Sequence, residues 1–149
     1  MAERIDYHRK DHGGFKAMYG LENYVRSSPL DPTIRELVKI RASQINGCAF
    51  CLDMHWKEAR ANGETEARLA VLSAWHEAPF FSARERAALA WTEALTLVSQ
   101  THAPDEVYTE VASQFEEAEL LDLTYAIVTI NAWNRLAIGF RSDIKMAAP

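Results

Sequence analysis

A chain of 149 residues that is 48% hydrophobic and 25% charged, with 6 glycines and 5 prolines, has the composition of an ordinary globular protein, and its length predicts one domain over residues 1–149. The net charge of −5 and a pI of about 5.5 argue against nucleic acid or an anionic membrane as partner, because an acidic surface repels phosphate. The charged N-terminus, MAERIDYHRKDHGG, holds no apolar run of the secretory type, so a reducing, cytoplasmic location is expected. The most apolar stretch, 120–140, is interrupted by Asp122, Asn131, Asn134 and Arg135. Each would be costly in lipid, and the stretch reads as a buried helix.

No alternating strand pattern, internal repeat or low-complexity linker is present, and helical punctuation recurs instead. Residues 14–27 form a predicted first helix that ends at SSPLDP. Asp31 then caps a second helix with Pro32 at its first position, where a missing N–H costs nothing, and Ile34, Leu37, Val38 and Ile45 give it an apolar face. Asn46-Gly47 stops it. A third helix starts at about Cys48 and ends at Asn62-Gly63, and a short one follows over roughly 65–76. Ser82 and Glu85 make a capping box that opens a helix to about Ser99, with Ala87, Trp91, Ala94, Leu95 and Val98 on one stripe. Pro104 opens another short helix, and the last long one covers about 117–138. The run of acids from Asp105 to Asp122, with no base among them, reads as solvated surface and favourable helix N-terminal charge. The last helix is apolar nearly all round, which implies burial on several sides and, in so small a chain, self-association. The expected fold is all-α, built from helical hairpins.

The two cysteines of the chain, Cys48 and Cys51, are three apart, and His55 follows four residues after the second. These spacings put all three on one helix face. In the first helical turn, unpaired N–H groups and the helix dipole favour a thiolate at Cys48, while His55 is within reach of the Cys51 proton. A thiolate attacks a peroxide oxygen, and a second thiol nearby resolves the sulfenic acid as a disulfide. In a reducing compartment, a close pair is more often catalytic or metal-binding than a permanent staple. Glu36 flanks the apolar stripe of the preceding helix, and spacing alone makes it a solvated surface acid.

The segment ELVKIRASQINGCAFCLDMH, Glu36 to His55, resembles the motif of the AhpD-like alkylhydroperoxidases within the carboxymuconolactone decarboxylase family. Glu36, Cys48, Cys51 and His55 match its four positions, and SARERAALAWTEALTL and INAWNRLAIGF extend the likeness over most of residues 30–140, with the motif core at about 30–100. The resemblance implies an all-α bundle of about six to seven helices whose helix-turn-helix carries the CxxC. It implies that Cys51 forms the sulfenic acid, that Cys48 donates a proton and resolves, and that Glu36 and His55 relay protons. It further implies a hydroperoxide substrate, a dithiol reductant such as a lipoyl-bearing protein, and a homotrimer or homohexamer. No metal, flavin or nucleotide is called for, and no phosphate-binding loop appears. The histidine that AhpD carries just before the second cysteine is Phe50 here, which implies a slower peroxidase or a different oxidant or disulfide substrate.

Other readings have less behind them. Zinc wants four tetrahedral ligands, and Cys48, Cys51 and His55 supply three. Cofactor-independent decarboxylation of a dicarboxylate lactone needs cations for two carboxylates, with Arg41 and Arg135 as the candidates. A redox-sensing helical oligomer would share the thiol chemistry without turnover, and small buried cysteines are common in cores. His76 reads as a helix-end charge and His102 as a loop residue, while His8 and His12 fall in an N-terminal segment expected to be loosely ordered. Trp56, beside His55, is a candidate wall of the thiol pocket.

Overall fold

Capping residues set the helix boundaries much as their chemistry dictates. In a computed structural model that describes residues 2–144, the elements in order are α1 (Gly13–Ser27), α2 (Pro32–Asn46), α3 (Ala49–Ala61), α4 (Glu66–Ala70), α5 (Ala83–Thr96), α6 (Val98–Thr101), α7 (Asp105–Gln114) and α8 (Glu117–Phe140). A 3-10 turn at Leu72–Ala74 follows α4, and no strand occurs among the described residues. The expected count of helices rises because the predicted 65–76 helix splits into α4 and that turn, and the predicted 83–99 helix breaks at Leu97 into α5 and α6. Asp31 accepts the N–H groups of Thr33 and Ile34 at the start of α2, and Ser82 and Glu85 form the reciprocal capping box of α5.

The hub is α2, which packs against α3, α5 and α8. Burial on three sides gives it no wide polar face, so Glu36, Lys39 and Ser43 are as buried as Leu37 and Val38, and Glu36 is only 4% exposed. The surface placement that spacing suggests for Glu36 is therefore wrong. Gly47 adopts the left-handed φ of 69° that ends α2, a conformation a Cβ would strain, and it turns the chain straight into α3. The two helices thus form the hairpin that carries the cysteines.

One apolar cluster joins α1, α2, α5, α7 and α8 through residues such as Val25, Val38, Trp91, Val111 and Ile127. A second joins α2, α3, the α4 region and α5. Each fully buried aliphatic side chain contributes roughly 1.5–3 kcal/mol relative to exposure. Of the α5 stripe, Ala87, Trp91 and Ala94 are buried, whereas Val98 is exposed because the chain has left α5 by then. Only one face of α8 is buried within the chain, and Leu121, Tyr125 and Val128 stand about half exposed. The expected burial on several sides is therefore not met by one copy. No helix among the described residues is long and apolar enough to cross a membrane.

Polar residues on the buried face of α8 are matched to the end of α2. Asn134, with no solvent exposure, donates to Ser43 Oγ at 3.0 Å and accepts from Asn46 Nδ2 at 2.8 Å. Asn46 also donates to Asn131, which donates to Thr96. Arg135 is exposed and bonds back to Asn131. These amides hold α8 against the residues just before the Gly47 turn, behind the cysteines. Replacing Asn134 by Ala leaves Ser43 and Asn46 partly unsatisfied in a dry site and opens a small cavity. The expected loss of unfolding free energy is about 2–3 kcal/mol by denaturant titration. A loss below about 0.5 kcal/mol, the range of an inert surface change, would mean the network does not hold this junction.

Candidate active site

Cys48 is the N-cap of α3 rather than a residue of its first turn, and its Sγ accepts the Cys51 N–H at 3.4 Å. One helical turn on, Cys51 is 2% exposed, and the two cysteines are joined as a disulfide with Cα atoms 5.4 Å apart. They pack in a small cluster with Ala42, Ile130 and Ala137, bordered by Tyr7, Phe50 and Trp133. The pair opens onto different spaces. Cys51 lines a cleft of about 410 Å³, and Cys48 lines a separate one of about 340 Å³ beside Ala137, Ile138 and Arg141.

The cleft at Cys51 is largely aromatic. Phe50, Met54 and His55 come from α3, Phe15 and Tyr19 from α1, and Ile130 and Trp133 from α8. Trp56 is on the opposite side of α3 and 43% exposed, so the tryptophan that walls the cleft is Trp133. Glu22 and Arg26 of α1 add charge to the lining, and Tyr7 and His8 complete it, contrary to the expectation of a loose N-terminal segment. Arg4 ties that segment down by donating its N–H to the Phe140 carbonyl and its guanidinium to the Gly139 carbonyl. His12 caps α1, and neither it nor His8 lies within a helix.

His55 lies at the floor of the cleft, one turn after Cys51, where the i, i+4 spacing brings the two side chains onto one face. Its Nδ1 meets two carboxylates, Glu58 Oε2 at 3.0 Å and Glu36 Oε2 at 3.2 Å. Both are acceptors, so Nδ1 carries the hydrogen and Nε2 is left as the ring's free acceptor. From Glu58 the contacts continue to Arg26 at 3.0 Å, to Glu22 at 2.9 Å and to the fully buried Lys39 at 2.7 Å. From Glu36 they continue to Arg35 at 3.5 Å. Trp133 donates its indole N–H to Glu22, which joins the cleft wall to this chain of alternating charges.

Burial disfavours the imidazolium form of His55, but hydrogen bonds from Nδ1 to Glu36 and Glu58 outweigh it and raise the pKa above 6.5. The same contact, opposed by burial and reinforced by Arg26, depresses Glu58 to about 2. Burial acts against the Glu22 carboxylate too, but Lys39 and Arg26 prevail and hold it below 4.5. Glu36, His55 and Glu58 present ligand atoms within 4.8 Å of one another, a spacing that a divalent cation can use. Arg26 and Arg35 already occupy their carboxylates, and a cation there would meet further positive charge, so the donor set suits a proton better than a metal.

The structure thus brings together Cys48, Cys51, His55 and Glu36. Glu58, Arg26, Glu22 and Lys39 were not singled out by the sequence reading. The signal for Glu58 was its i+3 position from His55, and for Arg26 its i+4 position from Glu22. Arg41 and Arg135 are elsewhere: Arg41 pairs with Glu93, and Arg135 is on the surface. His76 also pairs with Glu93 instead of acting as a helix cap, and His102 is exposed as expected.

A test of the two-carboxylate arrangement follows from the shifts. Glu58→Gln should lower the His55 midpoint, read by NMR of the imidazole. The His55 contribution to stability is complete below 6.5 and lost as pH rises through its raised value. The Glu58 contribution is complete above 4.5 and lost as pH falls through about 2. The stability difference between wild type and Glu58→Gln should therefore be greatest between pH 4.5 and 6.5. An unmoved His55 midpoint would remove Glu58 from the relay.

The profile of the carboxymuconolactone decarboxylase family matches residues 14–94, which spans the whole hairpin and the charge chain. The uncharacterized protein YdfG of Bacillus subtilis is 45% identical over 139 residues, covering 93% of this chain and 95% of that protein. The crystal structure of ATU0492 from Agrobacterium tumefaciens, a protein of unknown function for which an AhpD-type antioxidant defence role has been suggested, is 44% identical. It superposes with a TM-score of 0.94 over 98% of this chain and 100% of its own. A peroxidase-related protein from Silicibacter sp. TM1040 shares the fold at 23% identity, with a TM-score of 0.76 over 85% of this chain and 68% of that one. The cysteine hairpin, the all-α architecture and these matches agree: the chain belongs to the carboxymuconolactone decarboxylase family and has an AhpD-like fold.

Proposed function

We propose that this protein is a thiol peroxidase that reduces organic hydroperoxides through a Cys51–Cys48 dithiol–disulfide cycle. The observation that carries the reading is that Cys51 and His55 line one aromatic cleft while Nδ1 of His55 is held by two carboxylates. The charge chain contains three fixed cations, Lys39, Arg26 and Arg35, against three carboxylates, Glu22, Glu58 and Glu36. With neutral His55 it is balanced. Moving the Cys51 proton to His55 creates an imidazolium and a thiolate side by side, which preserves that balance in a buried site.

In the cycle, His55 takes the thiol proton, and the Cys51 thiolate attacks one oxygen of ROOH. The S–O bond forms as the O–O bond breaks, giving a sulfenic acid and, once protonated, ROH. Cys48 then displaces water from the Cys51 sulfur to form the disulfide, with Cys48 losing its proton. An external dithiol, of the kind a lipoyl-bearing protein supplies, returns both thiols. That Cys48 opens on its own cleft supports this division of roles, since reductant and oxidant need not compete for one entrance. Lactone decarboxylation is the weaker alternative, because Arg41 and Arg135 lie outside the Cys51 cleft and Arg26 is already paired with Glu22 and Glu58. A redox-sensing oligomer would form the same disulfide without repeated turnover, and the half-exposed apolar face of α8 is consistent with assembly as a homotrimer or homohexamer.

Intact mass before and after stoichiometric cumene hydroperoxide tests the cycle. Rapid loss of both thiols as an intramolecular disulfide, restored by dihydrolipoamide over repeated rounds, is expected. Cys51→Ser should abolish hydroperoxide consumption, and Cys48→Ser should leave a dimedone-trappable sulfenic acid at Cys51. Unreactive wild-type thiols would sink the reading, and a trappable sulfenic acid on Cys48 in Cys51→Ser would reverse the roles.

A further inference from the structure

We propose that His8, carried into the cleft by the N-terminal segment, is the acid that protonates the departing alkoxide. The inference rests on the peroxidase reading above and deepens it. Heterolysis of the O–O bond leaves RO⁻, a strong base whose release in a largely apolar cleft needs a proton at the far end of the peroxide from the sulfur. Besides His8 and Cys51, the titratable side chains lining the cleft are Tyr7, Tyr19, Glu22, Arg26 and His55. Arg26 is paired with Glu22 and Glu58, and the phenol of Tyr19 is a far weaker acid than an imidazolium. Glu22 is an ionised carboxylate bound to Lys39 and Arg26. Burial raises the pKa of Tyr7, and its hydroxyl meets that of Ser142 at 3.2 Å. His55 is engaged with the thiol proton and with two carboxylates. Imidazole is the side chain suited to exchanging a proton near neutral pH, and His8 is the other imidazole lining this cleft.

The segment holds that ring in place. Tyr7 packs on Trp133 and Phe140 with centroids 6.3 and 5.9 Å away, and the His8 ring stacks on Tyr7 at 4.1 Å. The ring is also 6.1 Å from those of Phe15 and Phe50, one on α1 and the other beside Cys51 on α3. Asp6 accepts the His8 backbone N–H at 2.9 Å and lies 3.5 Å from its Nδ1. Nε2 has no hydrogen-bond partner among the described residues and is left to meet a bound peroxide. The side chain is 45% exposed, which allows solvent to return the proton between turnovers. The step balances: the Cys51 thiolate gains oxygen and loses two electrons to the peroxide, RO⁻ takes the His8 proton, and neutral His8 is reprotonated by water.

The test varies the leaving group while keeping the nucleophile. Pre-reduced wild type and His8→Gln are mixed with cumene hydroperoxide, whose alkoxide needs a proton, and with perbenzoic acid, whose carboxylate leaves without one. Single-turnover oxidation of Cys51 by cumene hydroperoxide should slow about tenfold or more in His8→Gln, as removal of a general acid predicts. Oxidation by perbenzoic acid should stay within about twofold. Equal slowing with both oxidants would make His8 a structural contact and overturn the proposal, as would no slowing with either. A wild type inert to both oxidants would bring down the peroxidase reading and this inference with it. A wild type that reacts, with His8→Gln unchanged, would remove only His8.

Discussion

Two carboxylates on one imidazole nitrogen are the constraint around which the cysteine region is organised. Glu36 comes from α2 and Glu58 from the last turns of α3, and both meet His55 Nδ1 within 3.2 Å. A buried imidazole alone would shed its proton, because desolvation penalises the charged form. The two acids reverse that preference, and their own charges are met by Arg26 and Arg35. Lys39 and Glu22 extend the alternation into the core between α1 and α2. Removing Lys39 would leave the buried Glu22 carboxylate with too little water to solvate it, a penalty on the order of 3–5 kcal/mol for a buried pair, whereas the more exposed Arg26 and Glu58 cost less to unpair. The site and the packing of three helices therefore depend on one another.

The fold places this chain of charges by making α2 a hub. A helix packed on α3, α5 and α8 cannot keep its polar residues in solvent, so Glu36, Lys39 and Ser43 must find partners inside. Gly47 and the Asn46–Asn134–Ser43 contacts then fix where α2 ends, and so where Cys48 begins the next helix. Cys51 follows by one turn and His55 by another. Geometry that reaches across several helices thus converges on one face of α3.

Much of this was legible in the sequence, and the parts that were not have physical causes. Asp31-Pro32, Ser82 with Glu85, and Asn46-Gly47 are local signals, and the helix ends follow them closely. The shared face of Cys48, Cys51 and His55 is set by helical period alone. Glu36 was readable only through the family resemblance, because periodicity assumes a polar side, and α2 has none of useful width. Glu58, Arg26 and Lys39 look like ordinary surface charges until three helices bring them together. Tyr7 and His8 lie more than one hundred residues from Trp133 and Phe140, and no local pattern reports a contact at that range. The apolar circumference of α8 was visible, but its outer face finds no cover within one copy of the chain.

The central claim is that the carboxylates on His55 tune the reactivity of Cys51. The most direct measurement is the pH dependence of Cys51 alkylation by iodoacetamide in reduced wild type and in Glu36→Gln. The account predicts a wild-type midpoint below the usual thiol value of about 8.5 and an upward displacement when Glu36 loses its charge. A wild-type midpoint at the ordinary thiol value, or one that Glu36→Gln leaves unmoved, would contradict it.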